Sequence, residues 1–315
     1  MLIAGIDIGG TKVALGLFDE NSTLLAQQEF PVKKEITGDA FYAELTAALD
    51  ALLSSIGATT FTHGGVGFPG IVQTEHMRVQ FAPNAPFLND YPLCEQLSTQ
   101  YQANIVLEND ANAAALAEYH LGAGQGYPDM VYSTVSTGIG GGILCNGKIL
   151  RGSYFAAGEI GHTIIVPGGL LCGCGNHGCV EAYAGGANFP KQIEARIAAG
   201  EETLMKTLAA EYGGINGRTL SAAFAAEDEM AIDFLTQISW ALGTLYYNIY
   251  KIINNNCFVL GGGLTNIGAP LFAGIEETFL SLKKGDSADM QVVFKQAHFS
   301  SSTVGIYGAA LAALQ

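Results

Sequence analysis

The sequence predicts an α/β protein built as two related domains. At 315 residues the chain is longer than one hydrophobic core usually spans. An apolar strand, a Gly-rich turn and a second apolar strand open the chain at residues 2–18, and the same pattern recurs at 130–145. Hydrophobic residues make up 49% and charged residues 14%, which implies large cores and apolar surface for a subunit interface.

In chain order, residues 2–8 and 13–18 read as strands joined at Gly9-Gly10-Thr11-Lys12, a hairpin, with a third strand at 23–31. Phe41, Leu45, Leu49, Leu52 and Leu53 recur at helical spacing over 39–55. Residues 62–68 form a strand stopped by Pro69-Gly70, and 84–92 a Pro/Asn loop. A helix over 93–101, a strand over 104–107 and an Ala-rich helix over 110–120 follow, then a Gly-rich break at 122–126. The second half begins with a strand at 130–135, a Gly-rich turn at 136–142 and a strand at 143–145. Residues 187–250 read as mostly helical, 257–260 as a strand before Gly261-Gly262-Gly263, and 303–314 as a helix with a Gly/Ala face.

The net charge of −15 argues against sequence-independent nucleic-acid binding. It does not exclude an anionic cofactor, because backbone amides and a bound cation can hold phosphates. Asp7 interrupts the first apolar run, no basic leader precedes it and no run reaches membrane-spanning length, so a cytoplasmic protein without a membrane partner is expected. Cys94, Cys145 and Cys257 stand alone in apolar settings and read as buried small hydrophobes.

The remaining cysteines cluster. Gly158-Glu-Ile-Gly-His162 is followed, nine residues later, by Cys172-Gly-Cys174-Gly-Asn-His-Gly-Cys179-Val-Glu181. His162, Cys172, Cys174 and Cys179 match a tetrahedral zinc set of three thiolates and one imidazole, a composition usual in structural sites. An odd number of thiols fits a disulfide poorly. His177 is a rival fourth ligand, although the tightness of its loop favours His162. Glu159 and Glu181 bracket the set, as expected of a site for a small polar ligand.

Three Gly-rich loops each follow an apolar strand: Asp7–Lys12, Ser136–Gly142 and Gly261–Gly263. None has P-loop spacing. Together they favour a nucleotide, with Gly9, Gly10, Thr11, Thr137, Gly138, Gly261, Gly262 and Gly263 near phosphate, Lys12 neutralising charge and Asp7 facing Mg²⁺ through water. Glu108-Asn109-Asp110-Ala111-Asn112 lies where a strand gives way to a helix, the end at which open α/β sheets bind ligands. Asp110 is there either an N-cap or a base; as a base it would accept a hydroxyl proton during phosphoryl transfer.

Taken together these motifs resemble the ROK family (repressors, open reading frames and sugar kinases) over essentially the whole chain. The resemblance implies an actin-like ATPase (ribonuclease H-like) fold, with two α/β lobes around a cleft. It divides the chain into an N-terminal lobe, 1–122 with the last helix 303–315 packing back on it, and a C-terminal lobe, 123–302. It implies ATP, Mg²⁺ and structural Zn²⁺, a homodimer, Asp110 as the base, and sugar contacts from Asn84, Asn109, Asp110, Glu159, His162 and Glu181. Leu88 stands where the family often has Trp, and Gly185-Gly186 where it usually has Ser-Gly.

The implied activity is ATP-dependent phosphorylation of the 6-hydroxyl of an N-acetylhexosamine or aldohexose. N-acetyl-D-glucosamine leads, because Lys12–Phe18 and Gly263–Asn266 resemble the family's N-acetylglucosamine kinases. Residues 130–142 and 172–182 equally resemble N-acetylmannosamine kinases, and glucose stays open. The alternative of another class is a sugar-responsive transcriptional regulator. Its helix-turn-helix is not expected here, since the first phosphate loop already begins at residue 7.

Overall fold

Gly9 donates its N–H to the Lys12 carbonyl at 2.9 Å, which closes the opening hairpin. The computed structural model describes residues 1–33, 35–82, 85–285 and 291–315. Its first elements are β1 (Ile3–Ile8), β2 (Lys12–Phe18), β3 (Leu24–Pro31), α1 (Gly38–Ser55), β4 (His63–Phe68), a small hairpin of β5 (Ile71–Gln73) and β6 (Arg78–Phe81), α2 (Leu93–Tyr101), β7 (Asn104–Asn109) and α3 (Asp110–Leu121). Then come β8 (Met130–Val135), β9 (Ile139–Cys145), β10 (Lys148–Ile149), α4 (Val180–Ala184), α5 (Phe189–Ala198), α6 (Leu204–Tyr212), α7 (Gly217–Ala225), α8 (Glu229–Ile253), β11 (Cys257–Gly261), α9 (Ala269–Leu282), β12 (Val293–Gln296) and α10 (Val304–Ala312).

Two five-stranded sheets repeat one strand order. The first runs β3-β2-β1-β4-β7 and the second β10-β9-β8-β11-β12. In the first, β2 is antiparallel to β1 and β3, while β4 and β7 continue parallel to β1. In the second, β11 and β12 are parallel to β8. The chain forms two compact units: unit 1 is Met1–Gly126, Gly142–Gly158 and His298–Gln315, and unit 2 is Tyr127–Gly141 and Glu159–Ala297. No described helix is long and apolar enough to cross a membrane.

The core of unit 1 follows from strand alternation. Ile6, Ile8, Val13, Leu15 and Leu17 point one way, into Phe41, Leu45, Leu49 and Leu53 of α1 and Leu97 of α2. Ile3, Ala14 and Phe18 pack with Ile306 and Ala310 of α10. The α10 helix lies closer than ordinary side chains permit: a Cβ on Gly65 of β4 would sit 1.7 Å from the Ala309 carbonyl oxygen, and one on Gly308 1.9 Å from that of Ala113. The Gly/Ala face of the last helix is thus a close-approach surface.

Glu118, fully buried near the end of α3, closes the same unit. Its carboxylate accepts the N–H groups of Ala123 (2.8 Å), His298 (3.0 Å) and Phe299 (2.9 Å). Three backbone N–H donors converge on this one buried carboxylate. In unit 2, α8 packs Tyr246 against Phe258 of β11 and Phe294 of β12, with Phe279 of α9 completing an aromatic cluster.

The sequence reading places no elements at β5, β6, α9 or β12, and it draws one turn too long. The Gly-rich turn expected over 136–142 is only Ser136–Gly138, because β9 already begins at Ile139. Gly142 lies within the strand for space, since a Cβ there would meet Ala115 at 2.5 Å and the Ala111 carbonyl oxygen at 2.8 Å.

Candidate active site

In unit 1 the parallel strands β1, β4 and β7 end together. Asp7 pairs in register with Gly67, and Phe68 with Asn109, so the residues following these ends share one edge of the sheet. The α3 helix starts there. Its N-cap is Asn109, whose Oδ1 accepts the N–H groups of Ala111 (2.9 Å) and Asn112 (3.0 Å) and whose amide donates to the Gly70 carbonyl (3.1 Å). The capping role that the sequence left open for Asp110 therefore belongs to its neighbour. Asp110 is the first helical residue, with Oδ1 accepting its own turn's Ala111 N–H at 2.8 Å. A helix N-terminus favours the ionised carboxylate.

Asp7 feels that charge. Burial, and then the carboxylate of Asp110, push its pKa from 3.8 up to about 6, partly offset by Lys12. A Cβ on Gly305 of α10 would stand 2.1 Å from Asp7 Oδ2, so the last helix closes over this carboxylate. A half-buried acid beside a second acid is relieved by a bound cation. Lys12, expected to neutralise phosphate, donates to Glu29 Oε1 at 2.6 Å, with both side chains nearly half exposed. Such a pair is weak enough to exchange partners.

In unit 2 three sequence-distant pieces meet at the end of β8. The turn Ser136–Gly138 is held by Gly186 N–H to the Ser136 carbonyl (2.7 Å) and Ala187 N–H to the Thr137 carbonyl (2.9 Å). Glu181, at the start of α4, accepts the Ile139 N–H at 2.9 Å through Oε2. A Cβ on Gly138 would lie 2.6 Å from that oxygen, so the second Gly-rich loop and the end of the cysteine loop need each other's shape. The Glu159–His162 turn stacks on the start of β9, where a Cβ on Gly161 would approach the Ile139 carbonyl oxygen to 2.2 Å. Gly262 has φ 91°, and a Cβ on it would lie 2.5 Å from the Val135 carbonyl oxygen, which puts the third Gly-rich loop beside β8.

His162, Cys172, Cys174 and Cys179 converge, with ligand atoms all within 4.8 Å of one another. Zinc–sulfur bonds of about 2.3 Å and zinc–nitrogen bonds of about 2.0–2.1 Å at tetrahedral angles require S···S near 3.8 Å and S···N near 3.6 Å. Cys174 and Cys179 Sγ are 3.7 Å apart, and Cys172 Sγ lies 3.6 Å from His162 Nδ1. The donor set fits zinc. His177 stands outside it, its Nδ1 lying 2.9 Å from the Gly169 carbonyl oxygen. Cys172 Sγ is also 3.8 Å from Glu181 Oε1, so the cluster and the carboxylate beside the second loop are neighbours.

Unit 1 thus brings Asp7, Lys12, Asn109 and Asp110 to adjoining loops, and unit 2 does the same for Thr137, Gly138, His162, Glu181 and Gly261–Gly263. Glu159 is exposed at the start of its turn. Asn84 lies outside the described residues. Sequence reasoning gave no role to Glu108, Arg151 or Glu118. A Glu directly before the Asn-Asp pair, and another on the otherwise Ala-rich α3, were the available signals.

Comparison matches residues 3–315 to the ROK family. The chain belongs to that family, among its sugar kinases, and has the actin-like ATPase fold in its two α/β units. It is 33% identical over 285 residues to a glucokinase of Streptomyces coelicolor, covering 88% of this chain and 87% of that one. It is 33% identical over 314 residues to an N-acetylmannosamine kinase of Salmonella newport, covering 99% and 98%. Among solved structures, a ROK family glucokinase from Streptomyces griseus in complex with glucose and AMPPNP aligns with TM-score 0.81 at 32% identity, covering 100% of both chains.

Proposed function

We propose that the protein transfers the γ-phosphoryl group of ATP to the 6-hydroxyl of an N-acetylhexosamine or aldohexose, with N-acetyl-D-glucosamine as the first substrate to test. The observation that carries this reading is the start of α3. Asn109 does the capping, so Asp110 stands at the strand end with a base's role open to it.

Asp110 orients the sugar hydroxyl and accepts its proton late, as a loose transition state requires, while the hydroxyl oxygen bonds to phosphorus and ADP leaves. Asp7 supports Mg²⁺ and Lys12 exchanges Glu29 for phosphate. The backbone of Gly9–Thr11, Thr137 and Gly138 approaches the phosphates, and Gly261–Gly263 borders the nucleoside. Asn84, Asn109, Glu159, His162 and Glu181 read the ring hydroxyls. His162 turns Nδ1 toward the thiolates, which leaves Nε2 as an N–H donor. Zinc, when bound, supplies rigidity to the loop carrying His162 and Glu181.

Glucose and N-acetylmannosamine are the second reading, favoured by the names of the relatives at 33% identity. A coupled ATP assay of kcat/KM across N-acetylglucosamine, N-acetylmannosamine, glucose, mannose and fructose decides. N-acetylglucosamine ranking below either rival removes it as the substrate, and no turnover with any of the five removes the reading. A homodimer is also proposed, supported by Leu171 and Ile164, which are 64% and 48% exposed beside the cysteine loop. Light scattering checks it, with a single-chain mass as the contrary result.

A further inference from the structure

Glu108 is 2% exposed, the last residue but one of β7, and no step above uses it. Both its oxygens are engaged. Oε1 accepts the N–H of Asn109 and the side-chain amide of Asn112, each at 3.0 Å. Oε2 takes two donors of the Arg151 guanidinium, Nε at 3.0 Å and Nη2 at 2.5 Å. Asn109 and Asn112 flank Asp110 in sequence and form the first turn of α3 with it. One buried carboxylate therefore grips both sides of the residue assigned as base, and one arginine grips that carboxylate. Arg151 lies seven residues before Gly158-Glu159, on the segment that follows β10. Its guanidinium and Glu108 border a cavity of about 570 Å³ within unit 1, shared with Thr74, Ser153 and Phe155.

We infer that Glu108 and Arg151 are positioning residues for phosphoryl transfer: the pair holds the Asn109–Asn112 turn so that Asp110 meets the acceptor hydroxyl. The fork of Arg151 matters as well as its charge, because two donors to one oxygen fix the carboxylate's orientation. With the arginine removed, Glu108 turns toward whatever solvates it in the cavity, and the turn loses its anchor. The inference rests on the reading of Asp110 as base, and adds to it two residues that touch neither sugar nor ATP.

The test is Arg151→Ala, with Arg151→Lys as the variant that keeps the charge and the fold. Misplacing the base by about 1 Å lowers kcat on the order of 10²-fold, with KM for ATP within about twofold of the parent. Arg151→Lys falls between the two. The cavity then admits a rescuing ion. Guanidinium chloride at about 20 mM, far below the molar range that unfolds proteins, restores kcat of Arg151→Ala and leaves the double variant Arg151→Ala/Glu108→Gln unchanged. Amide exchange at Asn109 and Asn112 quickens about tenfold in Arg151→Ala. A merely structural role predicts a lower melting temperature with parental kcat per folded molecule and no rescue, and that result overturns the inference. If the parent turns over no sugar, the functional reading has failed, and amide exchange alone then decides whether the pair anchors the turn.

Discussion

At the strand ends of unit 1 stand ionisable side chains, Asp7, Glu108 and Asp110. At the strand ends of unit 2 stand glycines, Gly138 and Gly261–Gly263, steadied by Glu181 and the cysteine cluster. The strand order is the same in both sheets. Unit 1 positions charge with charge and with backbone N–H groups: Arg151 holds Glu108, and three amides hold Glu118. Unit 2 positions an irregular loop with a donor set suited to a metal. The difference follows from what each must keep still. A helix start is already rigid and needs only its orientation set, whereas residues 159–181 run largely without regular structure, with only a short 3-10 turn at Ile160–His162 before α4, and need a cross-link.

The sharpest break in this comparison is Asp110→Asn. Without a base, kcat falls about 10²–10⁴-fold, while sugar affinity measured by calorimetry stays within about threefold. Near-parental turnover would sink Asp110 as the base and leave the charges of unit 1 without a chemical purpose.

The matching break in unit 2 is Cys174→Ser. Elemental analysis is expected to find about one zinc per chain in the parent and much less in the variant. The variant loses about 10–100-fold in kcat/KM for sugar, with sugar KM rising, because Glu181 and the Ser136–Gly138 turn lose their support. Parental kinetics in a metal-free variant would show that the loop holds itself.

Much of this was legible in the sequence, for physical reasons that differ between the units. The hairpins that open each half, the amphipathic α1 and the cysteine cluster announce themselves through period, Gly-rich turns and ligand spacing. The extent of β9 did not, because Gly140–Gly142 read as a turn by local propensity, and the approach of α3 that calls for glycine at Gly142 is not visible in the sequence. Asn109 as the cap over Asp110 was equally hidden, since both residue types cap helices well and the backbone alone decides between them. The Glu108–Arg151 pair joins residues 43 apart, a separation over which no pattern rule operates.

Asp7→Asn sharpens the electrostatic half of the comparison. The folded protein holds the Asp7 proton up to about pH 6, whereas the unfolded chain releases it near 3.9. Between those values the native state binds more protons than the unfolded state, so ligand-free stability falls as pH rises, and the whole penalty is present above about pH 6. The shift corresponds to about 2–3 kcal/mol. Asp7→Asn is expected to match the parent in urea unfolding at pH 4, exceed it by about that amount at pH 8, and lose Mg²⁺·ATP turnover. Equal stability at pH 8 would mean that Asp7 is better solvated than its surroundings imply.

The smallest effect is expected at Glu29→Gln, and it separates a structural ion pair from a functional one. Lys12 and Glu29 lie on neighbouring antiparallel strands with their charged ends nearly half exposed, a setting in which ion pairs contribute about 0.2–1 kcal/mol. Removing Glu29 therefore costs little stability, and it frees Lys12 to serve phosphate alone. If Lys12 exchanges partners during binding, Glu29→Gln lowers KM for ATP by about twofold to fivefold, an effect that shrinks in high salt as screening weakens the competition. Lys12→Met in the same background raises KM for ATP instead. An unchanged KM for ATP in both variants would detach Lys12 from the phosphates and leave charge neutralisation in unit 1 to a cation at Asp7.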